Sequence, residues 1–154
     1  MRGLVALGLV ALALSACAPQ LPKGVDDARL SDAVGRSVGG PNTCVLIADS
    51  AGRRVWRGGG YIGCARVLPD CAGGTITADA ALKAAVGKPP RFASCPSGGD
   101  VPGATVGWAS GPVPTGAGQP DRRLTYVAMM EGDRALPGLE IQDRVEGAFR
   151  KAGL

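Results

Sequence analysis

The sequence contains no histidine among its 154 residues. Histidine is the general base of Ser-His-Asp and Cys-His active sites, and it is a common ligand of zinc and haem. Active sites of these two kinds, and zinc or haem sites with histidine ligands, are therefore excluded. The sequence also lacks a Cys-x-x-Cys motif, and no serine is followed by lysine three positions later, so neither a thioredoxin-like redox site nor a Ser-x-x-Lys acyl-transfer site is indicated.

Charged and aromatic residues are both scarce, at 19% and 4% of the chain. The net charge at pH 7 is only +4, and the two signs are mixed along the sequence, so no nucleic-acid partner is expected. Glycine and proline are abundant, with 25 and 12 residues. The length predicts one domain, and disulfides commonly compensate for a core with so few aromatic residues.

Residues 1–16 have the pattern of a secretory signal peptide. Arg2 supplies a positive charge, and residues 4–14 form an apolar run interrupted only by small residues. The run is too short to span a bilayer, which takes about 20 residues, and it matches the apolar region of a signal sequence. No second long apolar run follows, so no transmembrane helix is predicted after the signal peptide.

The segment after the apolar run resembles the lipobox of bacterial lipoproteins. It reads Leu14-Ser15-Ala16-Cys17. The resemblance implies cleavage by signal peptidase II before Cys17, and attachment of a diacylglyceryl group with fatty acyl chains such as palmitate to that cysteine. The alternative is an ordinary signal peptide that a cysteine happens to follow.

The resemblance also implies a location for the protein. Ala18, not aspartate, follows the lipobox cysteine, as in lipoproteins exported to the outer membrane of Gram-negative bacteria. We therefore expect a protein of the bacterial cell envelope, anchored to a membrane by N-terminal acyl chains, at the outer membrane and facing the periplasm. The predicted organisation is a signal peptide over residues 1–16, a lipidated tether over 17–24 and one domain over 25–154.

Four further cysteines indicate disulfides, because their number is even and the chain is predicted to be exported. Cys44, Cys64, Cys71 and Cys95 can pair in three ways, and a four-cysteine metal site is a further alternative. We favour the pairs Cys44–Cys64 and Cys71–Cys95, because a hairpin turn at residues 49–52 returns the chain towards Cys44. Neither a metal nor a cofactor is expected.

The hydrophobic pattern predicts an α+β domain. Leu30, Val34 and Val38 form one stripe of a helix. Predicted helices cover residues 26–38, 78–86 and 139–152, and predicted strands cover residues 44–48, 53–57, 91–95, 105–109 and 124–130. Residues 61–74 are predicted to form an irregular loop held by a disulfide.

The order of these elements favours an antiparallel sheet. Because helices and strands do not alternate strictly, we expect about five antiparallel strands with the N- and C-terminal helices packed on one face, rather than a doubly wound parallel sheet. The order resembles that of the sheet-bearing half of penicillin-recognising enzymes and of small profilin-like modules. This resemblance is one of topology and implies no function.

Arginine and aromatic residues are concentrated around the second predicted strand. This arginine–aromatic cluster comprises Arg54, Trp56, Arg57, Tyr61 and Arg66. Strand alternation places Arg54 and Trp56 on one face. Arginines beside aromatic rings can bind an anionic cell-wall glycan, a lipid headgroup or an acidic patch on an envelope protein. The alternatives are a solvated strand edge for the arginines and a core position for Trp56.

Three aspartates are candidates for catalysis without histidine. Asp70, Asp79 and Asp100 lie in or near predicted loops and could supply the paired carboxylates of a glycan hydrolase. The alternative is that they are solvated in turns and helix caps.

The sequence leaves two candidate functions. One is a non-catalytic envelope lipoprotein with a structural, binding or interaction role, which we favour, and the other is a cell-wall or glycan hydrolase. The first needs no residue that the sequence lacks.

Overall fold

The computed structural model of the chain describes residues 20–154, apart from the side chains of Tyr61 and Ile62. The predicted signal peptide and Cys17 lie outside the described residues. The helices are α1 (Asp27–Val38), α2 (Tyr61–Ala65), α3 (Ala78–Ala85) and α4 (Gly138–Ala152), and the strands are β1 (Thr43–Ala48), β2 (Arg54–Gly59), β3 (Val67–Pro69), β4 (Thr75–Thr77), β5 (Arg91–Pro96), β6 (Thr105–Pro112) and β7 (Thr125–Gly132). No helix in this part of the chain has the length and apolar character needed to span a membrane.

Five strands form one antiparallel sheet in the order β2-β1-β7-β6-β5. The prediction of an α+β fold with an antiparallel sheet of about five strands is confirmed. β7 lies at the centre between β1 and β6, so the first hairpin of the domain pairs with its last strand. β2 and β5 are the edge strands of this sheet.

Helices cover both faces of the sheet. Val45 and Ile47 belong to a buried cluster with α1 and α4, whereas Leu46 and Ala48 belong to a second buried cluster with α3. Because successive side chains of a strand point to opposite faces, β1 contributes to both clusters, and all of its residues are buried. The terminal helices share one face, as predicted, and α3 lies on the other.

Capping residues fix the ends of the helices. Asp26 accepts hydrogen bonds from two backbone N–H groups in the first turn of α1, and Thr77 caps α3 through the N–H of Ala80. Gly153 ends α4 with a φ of +86°, a left-handed conformation that glycine adopts without strain. The predicted positions of these three helices are confirmed.

The segment over residues 61–74 is not the irregular loop that the sequence predicts. It contains the short helix α2 and the strand β3, and β3 pairs with β4 so that Leu68 lies opposite Ile76. Each of these strands has three residues, which is too short for an alternation to be recognised in the sequence. Leu68 is buried in the cluster beside α3, so the small sheet belongs to that layer of the core.

Both favoured disulfides are present. Cys44–Cys64 joins β1 to α2, and Cys71–Cys95 joins the β3–β4 turn to β5. Their Cα–Cα distances of 4.9 and 5.5 Å are within the range that a disulfide requires. The four cysteines of the domain therefore pair with one another.

Part of the segment predicted as a tether contacts the domain. Leu21 packs against the cluster of α1 and α4, and the N–H of Val25 donates a hydrogen bond to the carbonyl of Pro22. The chain thus meets the domain at Leu21, on the side of the sheet that carries the terminal helices.

Candidate functional site

A β-bulge divides the arginine–aromatic cluster. Ile47 lies opposite Trp56 and Ala48 lies opposite Arg54, so Val55 is the extra residue on β2. The side chain of Arg54 therefore lies on the face of the sheet that α3 covers, whereas Trp56 lies on the face that α1 and α4 cover. The prediction that Arg54 and Trp56 share a face is wrong, because simple alternation does not continue through a bulge.

Trp56 is a core residue and not part of a binding surface. Only 6% of it is exposed, and its indole N–H donates a hydrogen bond of 2.7 Å to Oδ1 of Asp27 in α1. Its ring lies so close to Gly58 that a Cβ atom there would overlap it. Of the two interpretations of Trp56, the core position is the one that the structure supports.

Two arginines of the cluster form ion pairs at separate places. Arg54 contacts both carboxylate oxygens of Asp79 at the start of α3, at 2.9 and 3.0 Å. Arg66 pairs with Glu131 of β7, whose side chain is only 7% exposed. Each arginine is thus bound to a carboxylate of the domain itself.

The other two members of the cluster are Arg57 and Tyr61, and they do not join Arg54 and Trp56 into one surface. Arg57 is partly buried and lies opposite Leu46 in the β1–β2 pair. Tyr61 is the first residue of α2. Because Arg54 and Trp56 lie on opposite sides of the sheet, the five residues do not form one continuous binding face.

The three candidate aspartates occupy separate elements. Asp70 lies in the β3–β4 turn, Asp79 in the first turn of α3, and Asp100 in the exposed segment between β5 and β6. Asp79 is bound by Arg54, as described above. The structure therefore gives each carboxylate a different neighbourhood.

The environment of Asp70 stabilises its charged form. Its Oδ1 accepts hydrogen bonds from the backbone N–H groups of Ala72 and Gly74, and these bonds lower the pKa of the Asp70 carboxyl below its ordinary value. A general acid needs a raised pKa in order to remain protonated near neutral pH. The geometry of Asp70 is that of a turn residue.

A cavity of about 240 Å³ lies on the α3 side of the sheet, between α3, the β3–β4 hairpin and β5. We call it the α3 groove. Its apolar lining includes Ile76, Ala81, Ala84, Ala93, Trp108 and Val127. Clefts with mostly apolar walls and a few polar groups are the usual sites of small ligands.

Two cross-links hold the walls of the α3 groove in place. The indole N–H of Trp108, on the floor, donates a hydrogen bond of 2.8 Å to the carbonyl of Pro69 in β3. The disulfide Cys71–Cys95 joins the β3–β4 turn to β5 on the opposite wall. The hairpin is therefore fixed to two strands of the sheet, β6 and β5.

Two cationic side chains line the groove beside one carboxylate. Lys88 follows α3 and Arg91 begins β5, and both residues are exposed. Among the described residues, neither forms an ion pair or a side-chain hydrogen bond. Asp70 is the carboxylate of the lining, and it is bound to its own turn.

Sequence reasoning missed this groove. Ala81 and Ala84 fit any helix, and Lys88 and Arg91 are separated by two prolines without a motif. The available signal was the high alanine content of α3, because small side chains on a helix leave space above a sheet.

Neither a metal centre nor a known relative identifies the site. Within residues 20–154, no group of three or more cysteine, aspartate or glutamate side chains is placed to hold a metal ion. The chain matches no family model, no curated protein and no solved structure.

Proposed function

We propose that the protein is a membrane-anchored envelope lipoprotein whose disulfide-linked domain has a non-catalytic binding role. The observation that carries this proposal is the pairing of the cysteines. Cys44–Cys64 and Cys71–Cys95 use all four cysteines of the domain, which leaves Cys17 as the fifth. That cysteine stands at the position of the lipobox that is lipidated.

The disulfides also support export. Structural disulfides persist in oxidising compartments such as the bacterial periplasm and are rare in the cytosol. A chain with 4% aromatic residues has few large side chains for a core, and the two cross-links compensate for that. The lipobox-like segment and the paired cysteines of the domain therefore both support maturation as an exported lipoprotein.

The anchor would hold the domain close to the membrane. Two or three acyl chains give stable attachment, whereas one chain binds only marginally. Leu21 already packs against the domain, and the four residue steps from Cys17 to Leu21 can span at most about 14 Å. We propose attachment to the outer membrane on its periplasmic side, because Ala18 rather than aspartate follows Cys17.

Replacing Cys17 with serine is expected to abolish lipidation, because an hydroxyl group does not replace the acylated thiol. Expression of the full chain in a Gram-negative host with radiolabelled palmitate should give a labelled band for the wild type and none for Cys17→Ser. The mutant protein should accumulate as the uncleaved precursor or leave the membrane fraction.

The matched control is the double variant Cys44→Ala/Cys64→Ala, which also removes cysteines but leaves the lipobox intact. It should keep its palmitate label even where the domain is destabilised. Undiminished labelling of Cys17→Ser would contradict the lipoprotein assignment.

A binding role is supported over hydrolysis by the positions of the carboxylates. Glycan hydrolysis uses two carboxyl groups that flank one scissile bond. Of the three candidate aspartates, Asp70 lines the α3 groove and is held by backbone N–H groups, whereas Asp79 is bound by Arg54. The groove instead offers apolar surface and cations, which suit the binding of a ligand.

A further inference from the structure

We propose that the α3 groove binds a small amphiphilic carboxylate, a molecule with one carboxylate group and a short apolar body. This inference deepens the proposed binding role by naming a ligand class. It rests on the size, lining, charge and rigidity of the groove, and it does not require the lipid anchor.

The size of the groove sets the size of the apolar body. A volume of about 240 Å³ is below the roughly 300–1,000 Å³ of pockets that bind drug-sized molecules, so the groove suits a smaller ligand. Trp108 and Val127 provide apolar surface on the floor, and Ile76 provides it on the hairpin wall. The alanines of α3 keep this space open.

The charges of the groove select an anion. The guanidinium of Arg91 can donate two parallel hydrogen bonds to a carboxylate, and the ammonium of Lys88 adds a second positive charge. With the carboxylate of Asp70, these two cations leave one net positive charge in the lining. A singly charged carboxylate balances that charge, whereas a cation or a dianion does not.

The rigidity of the groove favours binding. A hydrogen bond joins Trp108 to Pro69, and the disulfide Cys71–Cys95 joins the same hairpin to β5, so the hairpin wall is positioned before a ligand arrives. A preformed site spends less free energy on ordering its own groups when it binds. Oδ1 of Asp70 accepts two backbone hydrogen bonds, so this carboxylate is oriented by its own turn.

Hexanoate, with eight non-hydrogen atoms, is the probe for this site, and hexanamide is its neutral isostere. We expect hexanoate to bind the purified full-length chain saturably, with a Kd on the order of 1 mM for so small a ligand. Hexanamide should bind at least about 10-fold more weakly, because it has no negative charge and offers one acceptor oxygen to the guanidinium where a carboxylate offers two. Calorimetry on the wild type in neutral detergent measures both affinities.

Tryptophan fluorescence locates the bound ligand. The chain has two tryptophans, of which Trp108 lines the groove and Trp56 lies in the cluster of α1 and α4. In a Trp56→Phe background, hexanoate should therefore change the emission of Trp108 with the same Kd that calorimetry gives.

Two variants test separately the positive charge of the groove and its free volume. Lys88→Gln/Arg91→Gln should weaken hexanoate binding at least about 10-fold and leave hexanamide unchanged. Ala84→Phe, at an exposed position of the α3 wall, should abolish binding of both. The matched control is Lys151→Gln on α4, which removes a positive charge from the opposite side of the sheet and should change neither affinity.

Equal affinity for hexanoate and hexanamide would overturn the proposal, as would an unchanged hexanoate affinity in Lys88→Gln/Arg91→Gln or in Ala84→Phe. Failure of this titration would leave the palmitate labelling of Cys17 unaffected. The ligand proposal and the lipoprotein proposal can therefore fail separately.

Discussion

Replacing Trp56 with alanine is expected to lower the free energy of unfolding by about 3–5 kcal/mol, the usual cost of removing a large aromatic side chain from a core. The residue is 6% exposed and belongs to the cluster of α1 and α4. Its ring covers Gly58, which has no side chain to fill the space left behind. The hydrogen bond to Asp27 in α1 is lost as well. Urea denaturation followed by circular dichroism measures the change.

Arg54→Gln is the matched control, because it lies on the same strand and also removes a long-range contact. The Arg54 and Asp79 side chains are 45% and 50% exposed, and exposed ion pairs contribute little, so the loss should stay within about 1 kcal/mol. Trp56→Phe should fall between the two, because it keeps an aromatic ring but loses the indole N–H. A loss below about 1 kcal/mol for Trp56→Ala would contradict the core position of this residue.

The sequence was most informative where one local rule determined the structure. α1 was predictable because Leu30, Val34 and Val38 recur at helical spacing after a capping aspartate, and all three are buried. The turn after β1 was predictable because Gly52 can adopt the positive φ of +76° that it has. In both cases the information lies within a few neighbouring residues.

The predicted binding face failed because its geometry depends on pairing between strands. The bulge at Val55 reverses the relation between Arg54 and Trp56, and it arises where β2 pairs with β1. No residue type in the second strand requires it. A register that is fixed between two strands cannot be derived from the alternation of one of them.

The α3 groove is a property of three elements together. Lys88 and Arg91 are brought beside Trp108 only when α3 packs on the sheet and the β3–β4 hairpin closes one end. The sequence did indicate the cross-link that completes this arrangement, Cys71–Cys95, because the turn at residues 49–52 directs Cys64 to Cys44 and leaves the other two cysteines to pair. Of the charged residues that line the groove, only Asp70 was a candidate in the sequence, and its position beside Lys88 and Arg91 was not predicted.

Removing each disulfide as an alanine pair is expected to destabilise the domain by about 3 kcal/mol through the loss of loop closure. The two loops span 20 and 24 residues, so this contribution is nearly equal for both. Burial differs, however. Cys44 and Cys64 are 0% and 6% exposed in the core beside α3, whereas Cys71 and Cys95 are partly buried at its margin. Cys44→Ala/Cys64→Ala should therefore cost about 1 kcal/mol more than Cys71→Ala/Cys95→Ala, because it also leaves a cavity.

The loss of hexanoate affinity should be larger for the variant that loses less stability. Cys71→Ala/Cys95→Ala releases the hairpin wall of the α3 groove from β5 and should weaken hexanoate binding several-fold, whereas Cys44→Ala/Cys64→Ala lies outside the groove lining and should leave the Kd unchanged while the domain is folded. Urea denaturation and calorimetric titration of the same two proteins test this. If the variant with the larger loss of stability also showed the larger loss of hexanoate affinity, burial and groove rigidity would not be separate roles of the two cross-links, and each disulfide would act only by stabilising the domain as a whole.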